Sequence, residues 1–234
     1  MKTITRSEVN KSMAVQSAPI QAINIHLGYS RAKRLFDITF TLLISPLILL
    51  VCAAAALLIR LDSKGPILYR QKRVGQNSVE FEMLKFRSMY IDNDDTHHRI
   101  AIAQYMNGET LNADNNTPYK LGDDLRITRI GKFIRKTSID EVPQFWNVLR
   151  GQMTLVGPRP PLPYEVELYK PHDWLRLSGK PGLTGHWQIY GRSKVGFQEM
   201  IEMDIAYLQR QSLWEDIKLV ALTVPVMLLG RGGA

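Results

Sequence analysis

Cysteine is nearly absent: Cys52 stands alone, so no intramolecular disulfide can form and no cysteine cluster can hold a metal. A reducing compartment suits such a chain. Internal repeats and low-complexity tracts are missing too, which excludes solenoids and arrays. Acidic residues are in the minority, 22 against 30 lysines and arginines, for a net charge of +8. That excess points to anionic partners: nucleic acid, acidic lipid or phosphorylated small molecules. At 234 residues the chain has the length for one domain with a real core and appendages.

Against these absences stands one long uncharged run. Residues 38–59, ITFTLLISPLILLVCAAAALLI, suffice to cross a bilayer core, which takes about 20 residues. Cations flank both sides: Arg31, Lys33 and Arg34 before, Arg60, Lys64, Arg70, Lys72 and Arg73 after. Equal flanks frustrate orientation by charge, since a simple spanner keeps its basic flank in the cytoplasm. Pro46 has no amide hydrogen and crowds the carbonyl four residues back, which predicts a bend at Ser45-Pro46. The Ser45 or Thr41 hydroxyl can partner a carbonyl freed there. A re-entrant helix returning both ends to the cytoplasm reconciles charge and kink better than a straight span. A signal peptide ending near Ala53-x-Ala55 is rejected, because residues 1–37 are long for a charged leader and cleavage would leave an apolar stub.

The pattern divides the chain into a polar tail at 1–30, a membrane segment at 31–62 and a catalytic body at 63–234. Within the body, residues 67–77 and 79–89 read as a hairpin turning at Gly75-Gln-Asn-Ser. Residues 92–123 read as an exposed excursion with a weak helical pattern around Ile100 to Met106. Amphipathic helices are predicted from Ile130, from Glu141 to Arg150, from Gly196 to Gln211 and from Trp214 to Leu229. The last is expected to lie on the membrane surface, with Trp214, Glu215, Asp216 and Lys218 as a polar first turn and Pro225 as an interruption. The fold class is therefore α+β: a compact, mostly helical body with a small β-hairpin or sheet behind a Pro-kinked re-entrant helix.

Chemistry concentrates at Thr137-Ser-Ile-Asp-Glu-Val-Pro-Gln-Phe-Trp-Asn-Val-Leu-Arg-Gly. Pro143 is tolerated only in a first turn, so a helix should begin near Asp140, and Gly151 supplies a left-handed stop. Val142, Phe145, Trp146 and Leu149 then form the buried stripe. A carboxylate at a helix start should stay ionised, and an oriented carboxylate can attack phosphorus, although an aspartate there is as readily a plain cap. Arg159 sits in a proline-flanked turn suited to phosphate. Lys85 and Arg87 share one strand face, opposite Leu84 and Phe86. Lys180-Pro-Gly-Leu-Thr-Gly-His-Trp-Gln-Ile-Tyr-Gly-Arg carries Arg192 and glycines that admit either a nucleotide or a tight structural turn. His186 is read as packing or hydrogen bonding.

In order along residues 31–231, seven segments resemble the bacterial sugar transferase family, the monotopic phosphoglycosyl transferases. They are Lys33-Arg-Leu-Phe-Asp, Ser45-Pro46, Tyr69-Arg-Gln-Lys-Arg-Val-Gly, Leu84-Lys-Phe-Arg-Ser-Met, the segment from Arg135 to Gly151, Val156-Gly-Pro-Arg-Pro, and the segment from Lys180 to Arg192. Ile139 and Val142 replace the leucines usual beside the dyad, conservatively. The resemblance implies Asp140 and Glu141 as catalytic dyad and ligands of Mg²⁺, with Lys85, Arg87, Arg159 and Arg192 toward the nucleotide and phosphates. It implies transfer of a sugar 1-phosphate, a hexose by the C-terminal pattern, from a UDP-sugar to polyprenyl (undecaprenyl) phosphate. UMP leaves, as the first membrane step of exopolysaccharide or other glycan synthesis. Expected partners are UDP-sugar, polyprenyl phosphate and membrane lipid, with no nucleic acid. The expected location is the bacterial inner membrane, the catalytic body facing the cytoplasm. The resemblance implies the short form of the family, in which no four-helix membrane bundle is expected before that body. The rival readings are a membrane-tethered basic binding or regulatory module without catalysis and a scaffold that has lost catalysis. Which sugar, which pathway, the oligomeric state, the tail and residues 92–123 stay open.

Overall fold

The computed structural model describes residues 27–90, 96–108, 126–191 and 195–228. Helix α1 (Leu27–Asp62) is the longest element, and among the described residues it is the helix long and apolar enough to cross a membrane. It starts before the boundary set from sequence, inside the segment read as tail. Tyr29 explains the extension, because its hydroxyl donates to buried Asp216 Oδ2 (2.8 Å) and draws another turn into the helix. Pro46 lies within α1 without ending it. The carbonyl that Pro46 cannot bond, that of Leu42, accepts from Ser45 Oγ at 2.8 Å.

The hairpin forms as expected. Strands β1 (Leu68–Val74) and β2 (Glu80–Phe86) pair antiparallel, turning at Gln76–Ser78. The helical pattern in the excursion becomes α2 (Thr96–Met106). It is not simply exposed, since Ala101, Ile102 and Tyr105 are buried and Tyr105 joins Trp187, Phe197 and Ile201 in a core cluster. Next come α3 (Arg129–Lys136), α4 (Gln144–Leu149), β3 (Thr154–Val156) and α5 (Pro163–Val166). Strand β4 (Gly182–Thr184), α6 (Phe197–Arg210) and α7 (Leu213–Leu228) follow. The parallel β3–β4 pair was not foreseen. Three residues each give no alternation to read, and what permits the pair is close backbone approach: a Cβ on Gly182 would fall 2.1 Å from Gly157 N. Pro225 sits in the last turn of α7 and does not interrupt it.

Two core clusters meet α1 at different places. Near its start, Phe36 and Phe40 pack on a cluster of Phe81, Met83, Val148, Met153, Leu155 and Leu219. Near its end, Ala55 and Ile59 pack with Phe86 and Ile134. Between these seats Leu42, Leu43, Leu47, Leu49 and Leu50 are exposed. Polar ties reinforce both seats. At the start, Lys33 Nζ meets Asp216 Oδ2 at 2.7 Å, the side chains being 12 % and 0 % exposed, and Tyr207 Oη donates to Asp216 Oδ1. Asp216 is thus a buried anchor of α1 rather than part of a solvated turn. At the end, Asp62 Oδ2 accepts from Ile130 N (3.1 Å), and Arg87 Nη2 donates to the Ser63 carbonyl and hydroxyl (2.7 and 2.8 Å).

Removing one partner of a buried ion pair leaves a stranded charge. Lys33→Met is expected to destabilise the detergent-solubilised protein by about 3 kcal/mol, and Lys33→Met with Asp216→Leu by less. Thermal unfolding of both variants checks the order, and a double variant less stable than the single one would show that the pair is not what anchors α1.

Candidate active site

The dyad does not open a regular helix. Ser138 takes the left-handed conformation (φ 57, ψ 18), and Ile139–Glu141 form a separate 3-10 turn. That turn closes on bonds from Glu141 N to Ser138 O and from Val142 N to Ile139 O (both 3.1 Å). Helix α4 begins only after Pro143. A non-glycine residue held at positive φ costs about 1 kcal/mol or more and persists where its surroundings over-determine it. Here it reverses the chain between α3 and α4, so Asp140 and Glu141 project from a tight corner.

Asn147, which the sequence reading passed over, fixes that corner against β2. Its side chain is buried, accepts from Leu84 N (3.0 Å) and donates to Glu82 O (2.7 Å) and Gln152 Oε1 (2.8 Å). It continues the ladder of an edge strand with an amide side chain. Burying Asn147 and Val148 rotates α4 from the predicted stripe, and Trp146 ends 51 % exposed beside Arg150. Gly151 ends α4 at φ 76, as foreseen.

With β2 so held, Lys85 Nζ reaches Glu141 Oε1 at 3.0 Å. Lys85 and Arg87 do share a strand face, the inward one. Arg87 is 6 % exposed and spends Nη2 on Ser63, so its described contacts are with the exit of α1 rather than with the dyad. Arg159 Nη1 lies 3.5 Å from Glu165 Oε2. Its turn is clamped on three successive carbonyls: Arg176 Nη2 on Arg159 O (3.0 Å), Arg73 Nη1 on Pro160 O (2.8 Å) and Val74 N on Pro161 O (2.9 Å). Arg176 is itself locked by Asp204, with both side chains buried. Arg73 is the other residue missed; it was legible only as one cation of a run, and its inward register opposite Phe81 singles it out. Arg192 lies outside the described residues. His186 bonds Glu215 Oε1 (3.0 Å) and packs on Tyr190 and Tyr207. The glycines at 182 and 185 abut the backbone of Gly157, favouring the structural-turn reading of that loop.

The two carboxylates are driven apart electrically. Burial, then the charge of Glu141, pushes Asp140 up to about 6, with Lys85 and Arg135 pulling the other way. Burial alone would raise Glu141 as well, but Lys85, Arg159 and Arg73 outweigh it and hold its carboxyl below the ordinary value. Burial and Arg159 bring Arg73 down to about 10. Asp140 therefore ionises against resistance, not with help from a helix start. Its anion is the more basic partner, which suits a nucleophile. Among the described residues no third Asp, Glu, His or Cys joins the dyad as a metal cage. Two adjoining carboxylates do fit a Mg²⁺ that completes its shell with water and substrate phosphate.

A carboxylate whose folded-state pKa exceeds its unfolded one costs stability once both states are ionised, and that cost fades as pH falls through the folded value. Asp140→Asn is therefore expected to stabilise the protein at pH 7.5 by about 1 to 3 kcal/mol, partial solvation considered. The gain should begin to shrink as pH drops below about 6 and be gone only near the ordinary carboxyl value, about 4. Melting curves of both proteins across pH check this; a variant less stable than the parent at pH 7.5 would contradict it.

A model of the bacterial sugar transferase family matches residues 28–230. The chain is 46 % identical over 206 residues to the galactosyl transferase CpsE of Streptococcus agalactiae serotype III, covering 86 % of this chain and 43 % of that protein. It is 39 % identical over 200 residues to the UDP-galactose-lipid carrier transferase of Erwinia amylovora, covering 86 % and 41 %. To the exopolysaccharide production protein ExoY of Sinorhizobium fredii it is 37 % identical over 236 residues, with 99 % of each covered. The chain thus spans about two-fifths of the first two relatives and nearly all of the third.

Proposed function

Because the chain belongs to the bacterial sugar transferase family, we propose that it moves a hexose 1-phosphate from a UDP-sugar to polyprenyl phosphate. The observation that carries this reading is the pairing of a basic, half-buried Asp140 with a Glu141 held anionic by Lys85, Arg159 and Arg73. An Asp140 oxygen attacks the sugar-bearing phosphorus, the bond from that phosphorus to the UMP oxygen breaks, and UMP leaves with the electron pair. In the second half a phosphate oxygen of the polyprenyl carrier attacks the same phosphorus. The aspartyl bond breaks, the carboxylate is restored, and the product is a sugar diphosphate on the lipid. Lys85 orients Glu141, and Arg159, its backbone clamped, meets the negative charge that builds on the phosphoryl oxygens. Mg²⁺ held by Asp140 and Glu141 would add charge neutralisation for the diphosphate. Galactose, named for two relatives, is the first sugar to try, and exopolysaccharide synthesis, named for the third, is the context.

The membrane placement follows the same logic. Both ends of α1 are bonded to one folded body, at Asp216, Val148 and Leu149 on one side and at Ile130 and Arg87 on the other. A helix crossing the bilayer once would put its ends on opposite faces. We read α1 as re-entrant, bent at Ser45-Pro46, with its exposed leucines in one leaflet of the bacterial inner membrane. The catalytic body then lies on the cytoplasmic side, where cationic flanks are retained. Trp214, 76 % exposed at the start of α7, and Trp146 suit the headgroup zone, consistent with an interfacial α7.

The test is single-turnover chemistry. Purified enzyme with radiolabelled UDP-galactose and no acceptor should release UMP in a burst near one equivalent and carry acid-stable label. Added undecaprenyl phosphate should discharge that label into lipid. Asp140→Asn should lose more than 10³-fold in turnover while staying membrane-bound. Below pH 6 the burst rate should fall about tenfold per pH unit as Asp140 protonates. Burst and labelling retained in Asp140→Asn would remove the nucleophile.

A further inference from the structure

At the end of α4 remote from the dyad, an open groove of about 460 Å³ follows the first turns of α1, lined by Ser30, Arg31, Arg34, Leu35, Ile38 and Lys180. Half of its lining is cationic and none is acidic. Arg34 is fixed there, because Nη1 and Nη2 donate to Val148 O (2.6 Å) and Leu149 O (2.7 Å). Lys180 converges on the same spot: a Cβ on Gly151 would sit 3.6 Å from Arg34 Nη2 and 3.8 Å from Lys180 Nζ. Burial and the Arg34 charge both press Lys180 below its ordinary value, and Asp37 offsets this only in part. The Asp37 carboxylate is already occupied by the Thr154 hydroxyl (2.7 Å) and Leu155 N (3.0 Å). Arg31 is exposed and makes no ion pair with any described residue.

Like charges gathered with no carboxylate among them call for an external anion. The apolar part of the groove says what kind. Arg31, Leu35, Ile38 and Leu42 stack along one face of α1 at helical spacing, and Leu35 and Leu42 are exposed. The face changes from cation to hydrocarbon in the direction in which α1 enters lipid. A free phosphate would satisfy the cations and leave the leucines bare.

We propose that this groove holds an anionic glycerophospholipid, its phosphate on Arg31, Arg34 and Lys180 and one acyl chain along Leu35, Ile38 and Leu42. The site rests on the membrane placement given above and not on the transfer chemistry. It is separate from the dyad, which lies before the opposite end of α4.

The full chain, exchanged into micelles containing equal phosphatidylglycerol and phosphatidylcholine, is analysed by native mass spectrometry. One phosphatidylglycerol should be retained in preference to phosphatidylcholine. Arg31→Gln with Lys180→Gln should weaken that retention about 30-fold, at about fivefold for each cation, with an unchanged melting temperature. Arg34 is left alone because it ties down α4. Asp140→Asn, dead in transfer, should keep its lipid, which separates this site from the catalytic reading. Absence of preference, equal retention by the double variant, displacement by excess inorganic phosphate, or polyprenyl phosphate in place of phosphatidylglycerol would each overturn the proposal.

Discussion

Asp216 and Asp62 hold the two ends of one apolar helix to one folded body, and the position of every other part follows from that tether. Asp216 receives Lys33, Tyr29 and Tyr207; Asp62 receives the Ile130 amide in the first turn of α3. Burying charge is costly unless it is paired and bonded, so the fully buried Asp216 defines a narrow seat, and half-buried Asp62 adds a bond at the other end. Between the seats the leucines are exposed, with no cover among the described residues. The dyad corner is reached from both: α3 leads into it from the Asp62 end, and α4 leads out of it toward Arg34, three residues from Asp37 and three from Arg31 in the same helix. A helix seated at one end alone would leave the distance between the exposed leucines and the dyad undetermined.

The corner itself is unfavourable, and its neighbours offset the cost. Ser138 is left-handed, Asp140 resists ionisation, and Arg73 is a buried cation pressed by Arg159. Bonds from the surrounding residues hold the corner in place. Asn147 supplies two to the edge of β2 and a third to Gln152, and Arg176 and Arg73 supply two to the turn that carries Arg159. Arg176 with Asp204 acts behind that turn and touches no part of the dyad in the described contacts. The division is consistent: residues at the dyad corner carry mismatched charge, while Asn147 and Arg176, one layer back, are each held by several partners.

Much of this was legible from the chain alone, for reasons that can be named. The hairpin, α3, α6 and α7 follow side-chain periodicity, and periodicity survives into the fold because one face of each is buried. Ser45 bonding Leu42 O follows from what proline lacks. What escaped was set by partners far away in sequence. Asp216 looks like a polar first-turn residue until Lys33, in another helix, arrives. Arg73 looks like one of several cations until the register of β1 turns it inward. The β3–β4 pair depends on two glycines meeting across the fold, and no window of sequence contains both. The stripe on α4 failed because Asn147, a polar residue, took a core position to serve the β2 edge.

Arg34 links the long apolar helix to the dyad corner. Its guanidinium takes the last carbonyls of α4, the helix whose other end follows the dyad, and its stem borders a groove that runs into lipid. A six-residue helix has few internal bonds of its own, so its orientation depends on what holds its ends. One end is held by the Ser138 corner and the Asn147 bridge, the other by a side chain rooted in the membrane helix. The bonds that hold Arg34 to the end of α4 therefore bear, through that short helix, on the position of Asp140. That coupling gives a physical reason for building the corner against the long apolar helix.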